Sequence, residues 1–224
     1  MKEKKFEINR ILKETRKDYV QHVLLEQDCC NDPFDQFELW FKEAVEKDSM
    51  YANAMTVSTV DENGMPDSRI VLLRNLSYGG FTFYTNYESS KGNQIKNNSK
   101  ASILFFWKEL ERQVRMQGEI RFLPIGESEL YFRSRPFESK VGAWASQQSS
   151  RIENRAALDE RYEETLLKYK DKKVPRPNHW GGYVLVPVSF EFWQGRASRL
   201  HDRIKYSLQE NNKTEHWKMV RLMP

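Results

Sequence analysis

An α+β fold, an antiparallel β-barrel with helices at its periphery, is predicted by three features of the sequence. Short segments with a period of two in apolar character recur from Ala54 almost to the C-terminus. Turn-forming pairs, Asn63-Gly64 and Gly79-Gly80, separate the first of them. Helical spacing is confined to stretches outside these strands, which places helices around a sheet. With 13 Phe, 10 Tyr and 6 Trp, the chain has ample apolar surface for a core, although 30% of its residues are charged. The 224 residues suit one domain, expected over 32–224 and preceded by a charged, partly ordered arm over 1–31.

Asp32-Pro33 opens the first expected helix, with Asp as N-cap and Pro at the first helical position. Phe34, Phe37, Phe41, Ala44 and Val45 then recur at helical spacing and predict a buried face. Strands are expected over 54–60 and 68–74, joined by the Asn63-Gly64 turn, and over 81–86 after Gly79-Gly80. A short polar helix over 89–97 precedes strands over 101–107 and 112–122. In the latter, Val114, Met116, Gly118, Ile120 and Phe122 share one side. Helices follow over 127–133 and 139–145. The box Ser150-Arg-Ile-Glu153 predicts a third helix, reaching about residue 170. Strands resume over 182–186, 189–194, 199–206 and 216–222.

Composition excludes several classes. The formal charge is +4, and Lys/Arg are interleaved with Asp/Glu along most of the chain, which suits small anions better than nucleic acid. The two cysteines, Cys29 and Cys30, are adjacent and cannot staple distant segments, so a reducing, cytoplasmic setting is expected. His22 nearby does not complete a zinc-ligand spacing, and no metal site is expected. The start lacks the apolar stretch of a signal peptide and no run approaches membrane-spanning length. Dinucleotide, Walker, nucleophile-elbow and H-E-x-x-H motifs do not occur.

What remains are basic residues within elements that should be partly buried. Arg69-Ile70-Val71-Leu72-Leu73-Arg74 is an apolar strand bracketed by arginines; an edge strand with solvated ends fits equally well. A period of two puts Arg199, His201 and Arg203 on one strand face, opposite Leu200, Asp202 and Ile204; a solvated surface strand is the plainer reading. Tyr131, Arg135 and Ser139 lie four apart and would share a helix face if Pro136 left the helix continuous. Arginine matches phosphate geometry and Ser/Tyr hydroxyls add donors, so these clusters suggest two phosphate-sized pockets.

At these residues the chain resembles the pyridoxine/pyridoxamine 5′-phosphate oxidase family, over nearly all its length from about Arg16. The resemblance is carried by Arg69–Arg74, Phe83-Tyr-Thr-Asn86, Leu110-Glu-Arg-Gln-Val114, Ser134-Arg-Pro136 and Gly142-Ala-Trp144. It continues through Gln147-Gln-Ser-Ser-Arg151, Trp180-Gly-Gly182, Phe192-Trp-Gln-Gly195, Arg199-Leu-His-Asp-Arg203 and Arg221-Leu222. The resemblance implies a split barrel binding flavin mononucleotide (FMN) at a homodimer interface. It places Arg69, Ile70, Val71, Leu72, Leu73, Arg74, Tyr84, Thr85, Lys91, Gln113, Gln148, Ser149, Trp193 and Arg203 at cofactor positions. Arg69 and Lys91 would hold the cofactor phosphate, and Gln148-Ser149 would lie just before a capped helix with free N–H groups.

Tyr131, Arg135 and Ser139, with Arg74 nearby, would hold the substrate phosphate. Arg199 and His201 would set the pyridine ring against the flavin, and Arg16 and Tyr19 of the arm would close the site. The implied reaction oxidises pyridoxamine 5′-phosphate and pyridoxine 5′-phosphate to pyridoxal 5′-phosphate, with O₂ as acceptor and H₂O₂ as product. Two cofactor-side positions depart from the family's usual residues: Arg74 stands for a common Lys, and Ser90 for a common Arg beside Lys91. Competing expectations are a relative acting on a phenazine ring, and a flavin or pyridoxal-phosphate binder without turnover.

Overall fold

The structure, a computed structural model, describes Tyr19 and residues 22–211 and 214–224. Helix α1 (Pro33–Lys47) begins as expected: the Asp32 side chain accepts from the Phe34 N–H, with Pro33 in the first turn. Nine strands follow among the described residues. They are β1 (Ala54–Val60), β2 (Pro66–Leu72), β3 (Asn75–Ser77), β4 (Gly80–Asn86), β5 (Lys100–Trp107), β6 (Arg112–Phe122), β7 (Trp180–Gln194), β8 (Asp202–Asn211) and β9 (Thr214–Arg221). The remaining helices are α2 (Ser90–Asn97), α3 (Ile125–Ser134), α4 (Phe137–Ala145) and α5 (Arg155–Tyr169). The strands order as β2-β1-β5-β6-β7-β4-β3, with β8 pairing with β7 and β9. This is the curled antiparallel sheet with peripheral helices of an α+β split barrel.

The chain divides into two compact units, with β5, β6 and β7 contributing to both. The larger comprises Asn53–Phe105 and Arg115–Phe190. Its sheet core holds Met55, Val57, Phe81, Phe83, Ile103, Phe105, Met116 and Phe190, all buried. Alternation along β1 sends every second residue inward, and the β1–β2 register sets Val57 opposite Arg69. A second cluster, Phe132, Val141, Tyr169, Val174 and Trp180, packs α3, α4 and α5 onto the start of β7. Gly118 allows close strand approach, since a Cβ there would meet the Val186 carbonyl oxygen at 2.0 Å. The smaller unit comprises Phe106–Val114, Glu191–Pro224 and the described residues up to Ala52. Phe37, Trp40 and Ala44 of α1 are buried there with Leu110, Phe192, Ile204 and Tyr206. Trp40 meets Phe192 edge-on at 5.2 Å.

Several expected details are corrected. Trp40 and Gln36 belong to the buried face of α1, whereas Val45 is exposed, as is Phe122 at the end of β6. The third late helix starts at Arg155 and is capped by Asn154, whose side chain accepts from the Ala157 N–H; Ser150 is not its cap. Consequently Gln148-Ser149 does not sit at that helix's N-terminus. The segments 182–186 and 189–194 are one strand, β7. Pro187 lies within β7, two residues beyond the end of its ladder with β4, which runs from Trp180 to Leu185. The strand expected from Arg199 begins only at Asp202, because Ala197–Arg199 is a 3₁₀ turn with Ser198 and Arg199 at φ of 56° and 61°. Arg199, His201 and Arg203 therefore do not share one strand face. Pro136 does divide the helix carrying Tyr131 and Ser139, leaving Arg135 between α3 and α4.

Candidate active site

The larger unit encloses a cavity of about 830 Å³, within the range of small-molecule sites. Its walls come from β2, β4, the start of β7, α2, α3 and α4, and the segments that follow β2, α3 and α4. Among the expected residues it brings together Arg69, Ile70, Val71, Leu72, Arg74, Tyr84, Thr85, Ser90, Lys91, Tyr131, Arg135, Ser139, Gln148 and Ser149. Leu73 is not in the lining; its side chain is buried and its N–H donates to the Asn53 carbonyl.

Two cationic groups face this space. In the first, the Arg69 guanidinium donates to the Val57 carbonyl at 3.3 Å, to Gln94 Oε1 at 3.1 Å, to Thr59 Oγ1 and to the Asp67 carboxylate. Lys91, buried on the first turn of α2, donates to Gln148 Oε1 at 2.9 Å, Thr85 Oγ1 at 3.2 Å and Ser89 Oγ at 3.4 Å. Burial, reinforced by the Arg69 charge and opposed by Asp67, brings the Lys91 ammonium down to about 8. Ser89, not Ser90, caps α2 by accepting from the Gly92 N–H, which leaves Ser90 exposed at the cavity rim.

The second group is Arg135 with Arg74. Arg135 precedes a proline and is held extended, at φ −68° and ψ 149°, so the chain turns there. Its guanidinium carbon lies 4.6 Å from the Trp180 ring centroid and 5.6 Å from that of Phe132. Burial, and then the Arg74 charge, push its pKa down while Tyr131 opposes them; its Nη1 is buried without a hydrogen-bond partner. An arginine with an unanswered buried donor and no ion pair among the described residues is suited to an exogenous anion. Tyr84 and Tyr131 stack at 3.8 Å, and burial, chiefly, raises the Tyr84 phenol to about 12, which keeps it a hydrogen-bond donor.

The smaller unit carries the other expected residues. The Trp193 and His201 rings lie 4.6 Å apart, and Tyr19 meets both nearly edge-on at 5.7 and 5.8 Å. Gly195 makes room for Tyr19, because a Cβ there would come within 2.6 Å of its ring. His201 Nδ1 accepts the Arg196 N–H at 3.1 Å, so a neutral His201 carries its proton on Nε2. Burial first, then Arg199, lowers the His201 pKa, against the opposing pull of Asp202. Arg203 makes a bidentate pair with Glu191 at 2.9 and 3.1 Å. Arg199 is exposed on its tight turn and Gln113 is half-buried on β6. Arg16 lies outside the described residues.

Six lining residues escaped the sequence reading: Asp67, Asn86, Gly142, Ala143, Ser146 and Trp180. Asp67 had a usable signal, since it is two residues before Arg69 on the same strand face. Trp180 had none as a site residue, because an aromatic at a strand start reads as core. Among the described residues no cluster of three His, Cys, Asp or Glu could hold a metal, and no helix is long and apolar enough to cross a membrane.

Residues 41–169 match the family described as pyridoxamine 5′-phosphate oxidase, and residues 180–224 match the pyridoxine 5′-phosphate oxidase C-terminal dimerisation region. The chain is 49% identical over 213 residues to the pyridoxine/pyridoxamine 5′-phosphate oxidase of Cupriavidus necator, covering 95% of this chain and 99% of that one. It is 45% identical to the Cyanothece enzyme of the same name, covering 95% and 98%. Among solved structures, PhzG of Burkholderia lata, in complex with tetrahydrophenazine-1-carboxylic acid, matches with a TM-score of 0.81 at 27% identity, covering 90% and 98%. A pyridoxamine 5′-phosphate oxidase-related, FMN-binding protein of Nostoc punctiforme shares the fold, with a TM-score of 0.67 at 16% identity and coverage of 88% and 100%. The chain belongs to the pyridoxine/pyridoxamine 5′-phosphate oxidase family.

Proposed function

We propose that this protein is a cytoplasmic, homodimeric FMN-dependent oxidase that converts pyridoxamine 5′-phosphate and pyridoxine 5′-phosphate to pyridoxal 5′-phosphate, with O₂ as acceptor and H₂O₂ as product. The observation that carries the reading is the presence of two separate cationic groups in one cavity, Arg69 with Lys91 and Arg74 with Arg135. Two phosphate monoesters, one on the cofactor and one on the substrate, match that arrangement. Bound FMN would supply the hydride acceptor for C4′ of the substrate and the route to O₂.

Arg69 and Lys91 are assigned to the cofactor phosphate; Thr85 and Gln148, already bonded to Lys91, fix that ammonium. Ile70, Val71, Leu72, Tyr84, Ser149, Gln113, Trp193 and Arg203 are assigned to the rest of the cofactor by family resemblance. Arg135, Tyr131 and Ser139 are assigned to the substrate phosphate, with Arg74 adding charge. In the assembled homodimer, Arg199 and His201 are assigned to the pyridine ring, where the Nε2–H of His201 would donate to a ring substituent. The dimer is supported by the matched dimerisation region and by edge strand β2, which leaves Ile70 64% exposed. The phenazine alternative is disfavoured by Tyr131, Arg135 and Ser139, which meet a phosphate better than a ring carboxylate.

The test is Arg135→Ala in FMN-loaded protein. Charge-assisted hydrogen bonds are worth roughly 1.5–3 kcal/mol, so kcat/KM for pyridoxamine 5′-phosphate should fall about 10- to 100-fold. FMN content should stay at the wild-type level. An unchanged kcat/KM would remove the phosphate assignment.

A further inference from the structure

We infer that Trp180 is a positioning residue whose indole face keeps the Arg135 guanidinium aimed into the cavity, so that the phosphate meets an arginine already set for it. The inference rests on the assignment of Arg135 to the substrate phosphate and adds the residue that sets its geometry.

The argument begins with Arg135 itself. Arginine ordinarily loses side-chain freedom when it binds an anion, and a bonded carboxylate usually fixes it beforehand. Here no ion pair of Arg135 occurs among the described residues, and its Nη1 is buried without a partner. Its orientation must come from elsewhere. The groups against it are aromatic faces, Trp180 at 4.6 Å and Phe132 at 5.6 Å. An indole face attracts a guanidinium more strongly than a phenyl face and leaves its in-plane N–H groups free for the ligand. A carboxylate in that place would occupy those donors and offset the charge.

Trp180 is itself held from several sides. It is only 7% exposed within the α3–α4–α5 cluster. Its ring runs nearly parallel to Tyr84 at 5.5 Å and Tyr131 at 6.2 Å. Its carbonyl accepts from Arg176, which also pairs with Glu129 of α3 and donates to the Pro177 carbonyl. The register of β7 on β4 sets Trp180 opposite Asn86. The indole is thus a fixed surface, and the Arg135 guanidinium lies against it.

The experiment measures binding of 4-deoxypyridoxine 5′-phosphate, which lacks the oxidisable C4′ group, to FMN-loaded wild type, Trp180→Phe, Trp180→Leu, Arg135→Ala and the double variants. Trp180→Leu should raise the Kd roughly 3- to 30-fold, the span from an exposed to a desolvated cation–π contact, and Trp180→Phe about two- to fivefold. Unphosphorylated 4-deoxypyridoxine should bind all Trp180 variants as it binds wild type. In the Arg135→Ala background neither replacement of Trp180 should raise the Kd further, because the group it positions is gone. Wild-type affinity in folded Trp180→Phe and Trp180→Leu overturns the inference, as does an equal loss with and without Arg135. If Trp180→Leu does not fold, Trp180→Phe and its double variant decide the matter. A Kd unaltered by Arg135→Ala alone removes the phosphate assignment, and this inference with it.

Discussion

Lys91 is less than a tenth exposed and bonded to neutral oxygen acceptors, with the Arg69 charge acting on it and Asp67 opposing. An ammonium with a pKa of about 8 makes cofactor binding sensitive to pH in a specific direction. A phosphate dianion selects the protonated form, so the Kd for FMN should rise about tenfold between pH 7 and 9. The empty protein should respond in the opposite sense. Between about 8 and the ordinary 10.5, the unfolded chain binds the proton that the folded one has released, so this group makes the ligand-free protein more stable as pH rises. Titration of apo-protein with FMN across that range checks the first statement, and a flat Kd would contradict it. Ser90 supports a second prediction. Because Ser89 already caps α2, Ser90 is free of that role. Ser90→Arg should tighten FMN binding by up to about 1.5–3 kcal/mol while leaving the substrate KM nearly unchanged. Unchanged or weaker FMN binding in a folded variant would place the cofactor phosphate elsewhere. Asp67 shows where sequence reading stopped short: bracketing arginines drew notice, yet the carboxylate that pairs with one of them did not.

At the scale of elements, most strands were legible because alternation and turn pairs are local signals. β1 and β6 have the expected bounds, and β2 begins two residues early, at Pro66. The errors arose where non-local geometry decides. A left-handed turn at Ser198 and Arg199 has no sequence mark, since neither is Gly or Asn, and it delays β8 to Asp202. The three-residue strand β3, with Arg74 bonded through its N–H to the Thr82 carbonyl, is too short for periodicity to reveal. The Ser150-to-Glu153 spacing imitated a capping box, but Asn154 does the capping. Asn154→Ala should therefore cost about 1 kcal/mol of stability, measured by denaturant unfolding, whereas Ser150→Ala should change it by only a few tenths. The reverse order would return the cap to Ser150.

For the whole molecule, sequence patterning indicated an antiparallel barrel with peripheral helices, and the structure has that architecture. The division into two units was not legible, because β5, β6 and β7 pass from one to the other without a linker or a compositional break. The cavity was visible only as scattered basic residues, since Arg69, Lys91 and Arg135 converge through strand pairing and a proline-broken helix that no local spacing encodes. Phosphate-dependent oxidation is the central claim for the assembled protein. The most direct measurement is the initial rate of H₂O₂ release by FMN-loaded protein, with pyridoxamine 5′-phosphate and with pyridoxamine at equal concentration. If the Arg135 group binds the phosphate, the ester should react faster by at least about 100-fold, the sum of two charge-assisted contacts. Equal rates on the two compounds, or no peroxide from either, would contradict it.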